Sequence, residues 1–420
     1  MREPDVLPAD TFDLCVIGAG VSGLCLARLA AERLGLRVLM LERRTEPGGC
    51  LASAPVGDPS APAGWLELGA HTCYNSYTGF LDIAGATDFL ARATPRGAKG
   101  FRLVEAGVLR SIPSCLDFWE AFRSLPKRFR TARQLRAAKP AMTAEAYYSA
   151  ILGPRNWARV LHPMLNAVAS QEIRGFPADA LFRIRPRRRK DLPRSFAVRG
   201  GLAEAARSLA AHPGIHCALG RQAVELAVDA AGFRIVTSLQ ETVRARRAAL
   251  AVPPDQARAL LAAPFPELAA LLERIRTCQV STLGLVFRDP LPHLPRLAGL
   301  VPAEGPCWSA VSADNFPVPG HRAWSFHFDG ARAGREEDML ACACRILGAR
   351  PESVEARHRR DHTMPSLELG HGPWLAALER ALAGTGLMVL GNYLSGMSIE
   401  DCANRARHEF ERVLVTAGQA

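Results

Sequence analysis

Residues 11–44 constrain the fold of this chain more than any other segment. An apolar run, Phe12–Ile17, leads into Gly18-Ala-Gly20-Val21-Ser22-Gly23, then into a helical pattern and a second apolar run that ends at Glu42. This order predicts a strand, a tight turn, a helix and a second, parallel strand. In such a unit the three glycines permit the turn, the approach of a pyrophosphate and close helix–strand packing. The phosphates then lie at the helix N-terminus, which favours an anion.

An acidic residue stands where a nucleotide ribose would need one. Glu42 follows Gly23 by 19 residues and is expected at the tip of the second strand. A carboxylate there can accept hydrogen bonds from ribose hydroxyls. The sequence therefore predicts a dinucleotide site rather than an ordinary glycine turn, with the contacts made by Gly18, Gly20, Val21, Ser22, Gly23 and Glu42.

A second glycine pair indicates which dinucleotide. Gly48-Gly49 follows Glu42 closely, and Gly69-Ala70-His71 comes further on. A nicotinamide domain has no need of this pair, whereas an extended FAD requires a second close approach of the backbone. Here the sequence resembles the flavin amine oxidase superfamily, and within it the protoporphyrinogen oxidase-like branch. The resemblance extends to Leu390-Gly-Asn-Tyr-Leu-Ser-Gly-Met-Ser-Ile-Glu-Asp-Cys402, to Met364-Pro365 with Gly370-His371, and to Phe196-Ala-Val-Arg-Gly-Gly-Leu202.

The resemblance implies an α/β fold, with a two-dinucleotide-binding (Rossmann-like) FAD domain and an inserted α+β substrate domain. The discontinuous FAD domain is expected at residues 1–80, 196–278 and 365–420, and the substrate or cap domain at residues 81–195 and 279–364. The implied activity is that of an FAD-dependent oxidase or dehydrogenase. It would take a hydride from a C–H bond next to nitrogen or in a conjugated ring of a small metabolite, with O2 as the electron acceptor.

The same resemblance places further residues at the cofactor. Val224 would offer backbone groups to the adenine, Pro253 would lie beside the ribityl chain, and Met397 would offer its N–H to the flavin O2 atom. Ser398 is a candidate N-cap of a C-terminal helix that points at the pyrimidine edge, where reduction places negative charge. Val224 and Pro253 can also be read as ordinary sheet residues, and the helix as purely structural. The cofactor residues implied by the family motifs are Arg43, Gly48, Gly49, Gly69, Ala70, His71, Val224, Pro253, Gly391, Asn392 and Met397.

Two departures from the superfamily pattern matter. Cys50 follows Gly48-Gly49 where amine oxidases usually carry an arginine, so Arg43 or Arg44 would have to compensate. Gly391-Asn392 replaces the usual Gly-Glu, which favours the protoporphyrinogen oxidase-like branch.

Three further functions remain open. Gly69-Ala70-His71-Thr72 resembles the corresponding stretch of UDP-galactopyranose mutase, a flavin isomerase that catalyses no net oxidation. The chain could also be a desaturase of the same superfamily or a flavin-holding scaffold protein.

The sequence contains no catalytic triad, paired carboxylates or metal cluster that would act without the flavin, as expected where the cofactor carries the chemistry. His71 and Tyr393 are the candidate catalytic residues because they adjoin the matched motifs. The imidazole of His71 can titrate near neutrality. Each can also be read as a structural residue.

Patterns between the motifs predict the remaining elements. Residues 101–113 read as a hairpin that turns at Glu105-Ala-Gly107, and residues 116–181 as a helical cap. Alternation and helical spacing predict strands at 222–228, 232–238, 243–252, 280–287, 299–301, 323–328 and 387–390, and helices at 202–211 and 336–347.

The chain is basic, with a net charge of +11. Seven of its cations fall within twelve residues, from Arg183 to Arg194, and are broken by two prolines. This basic run can be read as a rim that gathers an anionic substrate or lipid headgroups, or as a solvated loop. No nucleic-acid-binding module is visible, so nucleic acid is not an expected partner.

The cysteines and the chain ends indicate the compartment. Eleven scattered cysteines include no CxxC pair, so neither disulfides nor zinc are expected. The acidic N-terminus does not resemble a secretory signal, and no apolar run reaches the roughly 18 residues of a membrane span. We expect a cytoplasmic protein with at most peripheral membrane contact.

Overall fold

The computed structural model describes residue 7 and residues 11–58, 60–85, 87–97, 100–181, 183, 185–288, 291 and 293–415, with the backbone alone for 124–132 and 415. Residues 1–6 and 416–420, on which the N-terminal expectation and the outer domain bounds fall, lie outside this description. The strands, in chain order, are β1 (Phe12–Ile17), β2 (Val38–Glu42), β3 (Ser53–Val56), β4 (Gly64–Glu67), β5 (Cys73–Tyr74), β6 (Ala93–Pro95), β7 (Phe101–Glu105), β8 (Val108–Ser111), β9 (Ser195–Val198), β10 (Ile215–Leu219), β11 (Ala223–Asp229), β12 (Gly232–Thr237), β13 (Thr242–Leu250), β14 (Arg276–Phe287), β15 (Gly299–Pro302), β16 (Cys307–Ser312), β17 (Arg322–Asp329), β18 (Val354–Ser366) and β19 (Leu387–Val389).

The helices connect these strands and cover them. They are α1 (Val21–Leu34), α2 (Thr78–Ala84), α3 (Phe118–Ala138), α4 (Ala144–Leu152), α5 (Pro154–Asn156), α6 (His162–Ala169), α7 (Ala203–Ala210), α8 (Pro254–Leu261), α9 (Pro266–Glu273), α10 (Glu336–Leu347), α11 (His371–Leu382) and α12 (Ile399–Glu409), with π-helical turns at Trp157–Leu161 and Phe410–Val415. In the described ranges, no helix is both long and apolar enough to span a bilayer.

The first sheet gathers strands from three distant parts of the chain. Its order is β10-β2-β1-β13-β12-β11, and β19 pairs with the second half of β13. Strands β10, β2, β1, β13 and β19 are parallel, whereas β11, β12 and β13 form an antiparallel meander. The central strands β1 and β2 are almost wholly buried, as parallel strands covered on both faces must be. The predicted β-α-β unit is therefore confirmed.

Successive residues of β1 point to opposite faces and so supply two cores. Leu14 and Val16 pack with α1, α2, α7 and α12, whereas Cys15 and Ile17 pack with α8, α9 and α11. Helix α2 packs on α1 and α12, although it straddles the boundary predicted at residue 80. We therefore propose that the first insertion begins after this helix rather than at residue 81.

The second sheet has the order β18-β14-β17-β16-β15-β7-β8. It is antiparallel except at β15 and β7, and α10 helps to cover its apolar core. The predicted hairpin is present as β7 and β8, and its turn places Ala106 and Gly107 at φ angles of 49° and 77°. Helices α3 to α6 confirm the helical structure predicted for residues 116–181, while their role as a cap stays a prediction. Two small sheets, β3-β4 and β5-β9-β6, complete the fold.

Candidate functional site

A cavity of about 650 Å³ lies where the ends of the first sheet's strands meet the second sheet. It brings together residues from distant parts of the sequence, from Ile17 to Cys402. Of the residues predicted to hold a cofactor, those that line it are Gly18, Gly20, Val21, Ser22, Glu42, Arg43, Gly49, Gly69, Ala70, His71, Val224, Pro253, Gly391, Asn392 and Met397.

The first glycine turn leaves space at one position and none at two others. A side chain at Gly18, which has a φ of 104°, would collide with the backbone of Ala251, and one at Gly23 would collide with the carbonyl of Gly18. At Gly20, which precedes α1, no described atom lies within 4 Å of an added Cβ. Gly18 and Gly23 thus fix the strand–turn–helix packing, while Gly20 leaves room for a group at the N-terminus of α1.

Glu42 holds this turn from the tip of β2. Its carboxylate is buried and accepts hydrogen bonds from the backbone N–H of Ala19 at 2.9 Å and of Arg44 at 3.0 Å. The residue predicted to bind a ribose therefore also ties the end of β2 to the glycine turn.

The second glycine pair lies against the first. Gly48 donates its N–H to the carbonyl of Ala19 at 2.7 Å, and its φ of 133° belongs to the region that favours glycine. Gly48 itself stays behind the cavity wall and positions Gly49, which lines it. Arg360 of β18 donates to the carbonyl of Gly49 at 3.2 Å and to Glu46 at 2.8 Å. Arg360 thus places a guanidinium beside the glycine pair, from a strand that the sequence did not connect with it.

At its other end the cavity contains a pair of buried histidines. Nε2 of His71 lies 2.5 Å from Nε2 of His327, and Nδ1 of His327 lies 2.8 Å from the hydroxyl of Thr282. Burial, the neighbouring His327 and Arg96 lower the pKa of His71 well below its usual value. Burial and then the charge of His362 lower the pKa of His327 to about 3. Both imidazoles are therefore neutral at pH 7, so the expected titration of His71 near neutrality is wrong. One ring nitrogen donates the hydrogen bond between them and the other accepts it.

A further polar group faces the same region. The hydroxyl of Ser309 in β16 lines the cavity and is buried without a hydrogen-bond partner among the described residues. A buried hydroxyl in this state costs free energy unless a ligand satisfies it. The cavity is thus suited to a ligand that supplies a polar atom at this end.

The sequence could not identify His327, Thr282 or Ser309. Thr282 and His327 are direct cross-strand partners of β14 and β17, so they share one face of the second sheet. The packing of this sheet against the first decides which of its faces lies inward. The alternation of side chains along a strand does not reveal this.

Tyr393, a candidate catalytic residue, does not reach the cavity. Its side chain is fully buried in the core shared with α8, α9 and α11, where burial raises the pKa of its hydroxyl. Its ring packs beneath Gly391, where an added side chain would strike it. This position favours the structural reading of Tyr393, as a support of the turn that carries Gly391 and Asn392.

The predicted start of the C-terminal helix is confirmed. Ser398 caps α12, accepting a hydrogen bond from the N–H of Asp401 at 3.1 Å, and the Asp401 carboxylate accepts from the N–H of Ser398 at 3.2 Å. Met397 and Ser398 both line the cavity. The positive end of a helix therefore faces the cavity at this point.

The basic run divides between two locations. Arg185 donates to the Ser398 hydroxyl at 2.8 Å and to Asp401 at 2.9 Å, so it supports the start of α12. Arg187, Arg188 and Arg189 line a separate surface depression with Arg407. These three arginines do not line the main cavity.

Val224 and Pro253 both line the cavity. The β11–β12 pairing is irregular at Val224, between Ala223 and Glu225, and Pro253 immediately precedes α8.

Among the described residues, no group of three or more His, Cys, Asp or Glu side chains could hold a metal ion.

Residues 16–83 match the family model of an NAD(P)-binding Rossmann-like domain. No curated protein matches the chain. The dinucleotide-binding segment predicted from the glycines is therefore confirmed.

Solved structures match the whole fold. A putative protoporphyrinogen oxidase from Exiguobacterium sp. 255-15 is 16% identical over 97% of this chain and 100% of its own, with a TM-score of 0.75. Reduced UDP-galactopyranose mutase is 17% identical, covers 98% and 96%, and has a TM-score of 0.71. Cyclohexylamine oxidase from Brevibacterium oxydans IH-35A is 15% identical, covers 97% and 100%, and has a TM-score of 0.70. The chain thus shares the fold of these three proteins, and the predicted α/β fold with a Rossmann-like domain is confirmed.

Proposed function

We propose that this chain, which has the fold of the flavin amine oxidase superfamily, is an FAD-dependent oxidoreductase. It takes a hydride from a C–H bond next to nitrogen or in a conjugated ring of a small metabolite, and O2 reoxidises it. The observation that carries the proposal is one cavity that runs from two apposed glycine pairs and Glu42 to a buried histidine pair.

The residues of the cavity fit FAD. Gly20 leaves room for a pyrophosphate at the N-terminus of α1, Gly49 packs closely on Gly20, and Arg44 and Arg360 supply positive charge nearby. Glu42 and Val224 would hold the adenosine end. Met397 and Ser398, at the start of α12, would face the pyrimidine edge of the flavin, where the N–H of Met397 and the positive end of the helix favour negative charge.

When bound, FAD supplies the electron acceptor for the hydride. The protein positions the substrate between the cofactor and β14, β16 and β17. His71 and His327 are neutral, so the pair can orient a substrate N–H group by a hydrogen bond without placing a charge beside it. The Thr282 hydroxyl holds the ring of His327 in place. The apolar walls exclude water, and a C–H bond beside nitrogen needs little further activation because the lone pair stabilises the cation left behind.

A second candidate function is a flavin isomerase. The Gly69-Ala70-His71-Thr72 stretch resembles that of UDP-galactopyranose mutase, and one of the similar solved structures is reduced UDP-galactopyranose mutase. His71 would then contact a sugar nucleotide rather than a substrate amine.

Anaerobic and aerobic turnover separate the two functions. An oxidase loses its flavin absorbance when an N-heterocyclic or cyclic amine substrate is added anaerobically, and recovers it in air with release of hydrogen peroxide. A mutase converts a sugar nucleotide only after reduction with dithionite and returns the flavin reduced. Turnover restricted to dithionite would overturn the oxidase proposal.

The cofactor is tested at Glu42. Replacing Glu42 with Ala removes the acceptor of the ribose hydroxyls and of the Ala19 N–H group, so FAD binding should weaken by about 1–3 kcal/mol. Titration of the apoprotein with FAD, followed by flavin fluorescence, measures the change. Glu225→Ala is the matched control because Glu225 pairs with Arg234 on the surface of β11. A wild-type protein that takes up no FAD would end the proposal.

A further inference from the structure

Cys50 and His362 form a second titratable pair in the cavity. Sγ of Cys50 lies 3.7 Å from Nδ1 of His362, although the two residues are 312 positions apart. Cys50 directly follows the second glycine pair, His362 belongs to β18, and both line the cavity. The proposed function gives neither residue a role.

The hydrogen bonds of His362 fix its tautomer. Its Nε2 lies 2.9 Å from the carbonyl oxygen of Leu68, which can only accept, so Nε2 carries a hydrogen atom. In the neutral ring Nδ1 is then an acceptor and faces the Cys50 thiol. The nucleophilic thiol of Cys50, the imidazole base of His362 and the Leu68 carbonyl that orients the base thus form a chain of hydrogen bonds. This is the arrangement of an activated cysteine.

The charges around the pair favour its ionised form. Burial opposes ionisation of Cys50, but His362, by charge and hydrogen bond, and then Arg44 and Arg360 lower the pKa of the thiol. Burial likewise opposes protonation of His362, but Cys50 and the Leu68 carbonyl raise the pKa of the imidazole while Arg44 opposes this. Within the described part of the chain, His327 from β17 and Cys402 from α12 also interact with the pair.

Two other partly buried thiols, Cys278 and Cys217, lack such a partner charge. Burial raises the pKa of Cys278 to about 11, and burial followed by the charge of Glu42 raises the pKa of Cys217 to about 11. These two cysteines therefore provide internal controls in the same molecule.

We propose that Cys50 is a nucleophilic thiolate and a site of reversible oxidation by peroxide within the cavity. The sulfur attacks one oxygen of hydrogen peroxide and forms an S–O bond while the O–O bond breaks. Sulfur loses two electrons, the departing oxygen gains them, and the proton held by His362 converts the leaving hydroxide to water. The products are a sulfenic acid at Cys50, a neutral His362 and water. The source of the peroxide rests on the proposed oxidase function, but the reactivity of the thiolate does not.

Alkylation kinetics test the thiolate without any substrate. The purified protein is treated with iodoacetamide between pH 5.5 and 9.5, and peptide mass spectrometry follows Cys50, Cys217 and Cys278 separately. Cys50 should react about tenfold faster than Cys278 at pH 7, because a larger fraction of it is thiolate. Its rate should level off at a lower pH than theirs. Equal rates at Cys50 and Cys278 would overturn the proposal.

The role of His362 is tested by His362→Gln, whose amide can still donate to Leu68 but cannot act as a base. The rate at Cys50 should fall about tenfold in this variant and remain unchanged at Cys278. An unchanged rate at Cys50 would contradict the proposed pair. If the variant does not fold, the wild-type pH profile decides.

Oxidation is tested with hydrogen peroxide added to the protein in the presence of dimedone, which traps sulfenic acid. A mass increase at Cys50 that dithiothreitol prevents is expected, and its absence at Cys50 would overturn the oxidation step. Because this peroxide is added, a chain that failed as an oxidase would still give the same labelling. The oxidase proposal and the Cys50 proposal can therefore be contradicted independently of each other.

Discussion

At the residue scale, the two glycines Gly20 and Gly23 have opposite requirements although both belong to one motif. Gly23→Ala should prevent stable folding because its methyl group would strike the Gly18 carbonyl and crowd Ala251, whereas Gly20→Ala should fold normally. Gly20→Ala should nevertheless weaken FAD binding because its methyl group would occupy cavity space. Thermal unfolding of the apoproteins and FAD titration separate the two effects. Equal thermal stability of the two variants would contradict the packing described here.

The histidine pair makes stability depend on pH. In the folded protein His327 has a pKa near 3, while in the unfolded chain it has its ordinary value of 6.5. Below pH 6.5 the unfolded state therefore binds more protons, so stability falls as the pH is lowered from about 6.5 towards 3.

His327→Gln should make the stability fall less steeply as the pH is lowered, since it removes one group that only the unfolded chain protonates. Unfolding midpoints of the apoprotein between pH 4 and 8 measure the slope. His216→Gln, on the edge strand β10, is the control. A slope identical to that of the wild type would show that His327 is protonated in the folded protein.

Motif residues were predictable one by one, but their partners were not. The glycines and Glu42 could be placed because each meets a local requirement of the turn. His327, Arg360 and His362 could not, because their importance arises only when strands far apart in sequence adopt one register. Tyr393 adjoins Gly391 in sequence but lies in the core beneath the turn, because closeness in sequence does not determine on which side of a turn a side chain lies.

At the element scale, the capped start of α12 joins helix stability to the cavity. Ser398→Ala removes the N-cap and a partner of Arg185, and should cost about 0.5–2 kcal/mol of unfolding free energy. Thr143→Ala, the N-cap of α4, should cost a similar amount. FAD affinity should fall in Ser398→Ala alone, because Ser398 lines the cavity and Thr143 does not. Equal FAD affinity in the two variants would show that the start of α12 does not contribute to cofactor binding.

Elements were predictable where the local pattern was strong. Helix α10 was predicted with its observed bounds, and the β7–β8 hairpin with its observed turn, because both depend on nearby residues. The role of α2 could not be predicted, since its apolar face fits a cap as well as a core. Its packing against α12, more than 300 residues away, decides between them.

At the scale of the whole molecule, the first sheet and its helices require the C-terminal segment. A chain ending at Gly386 would lack β19, which pairs with β13, and α12, which packs on α1. We expect this chain to be insoluble or to bind the dye ANS as a loosely packed state, because the apolar face of α1 is left uncovered. A chain ending at Val415, which keeps every described element, is the control. A soluble, cooperatively unfolding chain ending at Gly386 would contradict this expectation.

The packing of α1 on α12 also determines how long α1 stays uncovered during protein synthesis. Between the end of α1 at Leu34 and the start of α12 at Ile399, the ribosome must add 365 residues. At about 5–20 residues per second this takes roughly 20–70 s, during which α1 has left the exit tunnel without the helix that covers it. An exposed apolar face of this duration is a binding site for chaperones. The nascent chain should therefore depend on chaperones longer than one whose nucleotide domain is continuous in sequence.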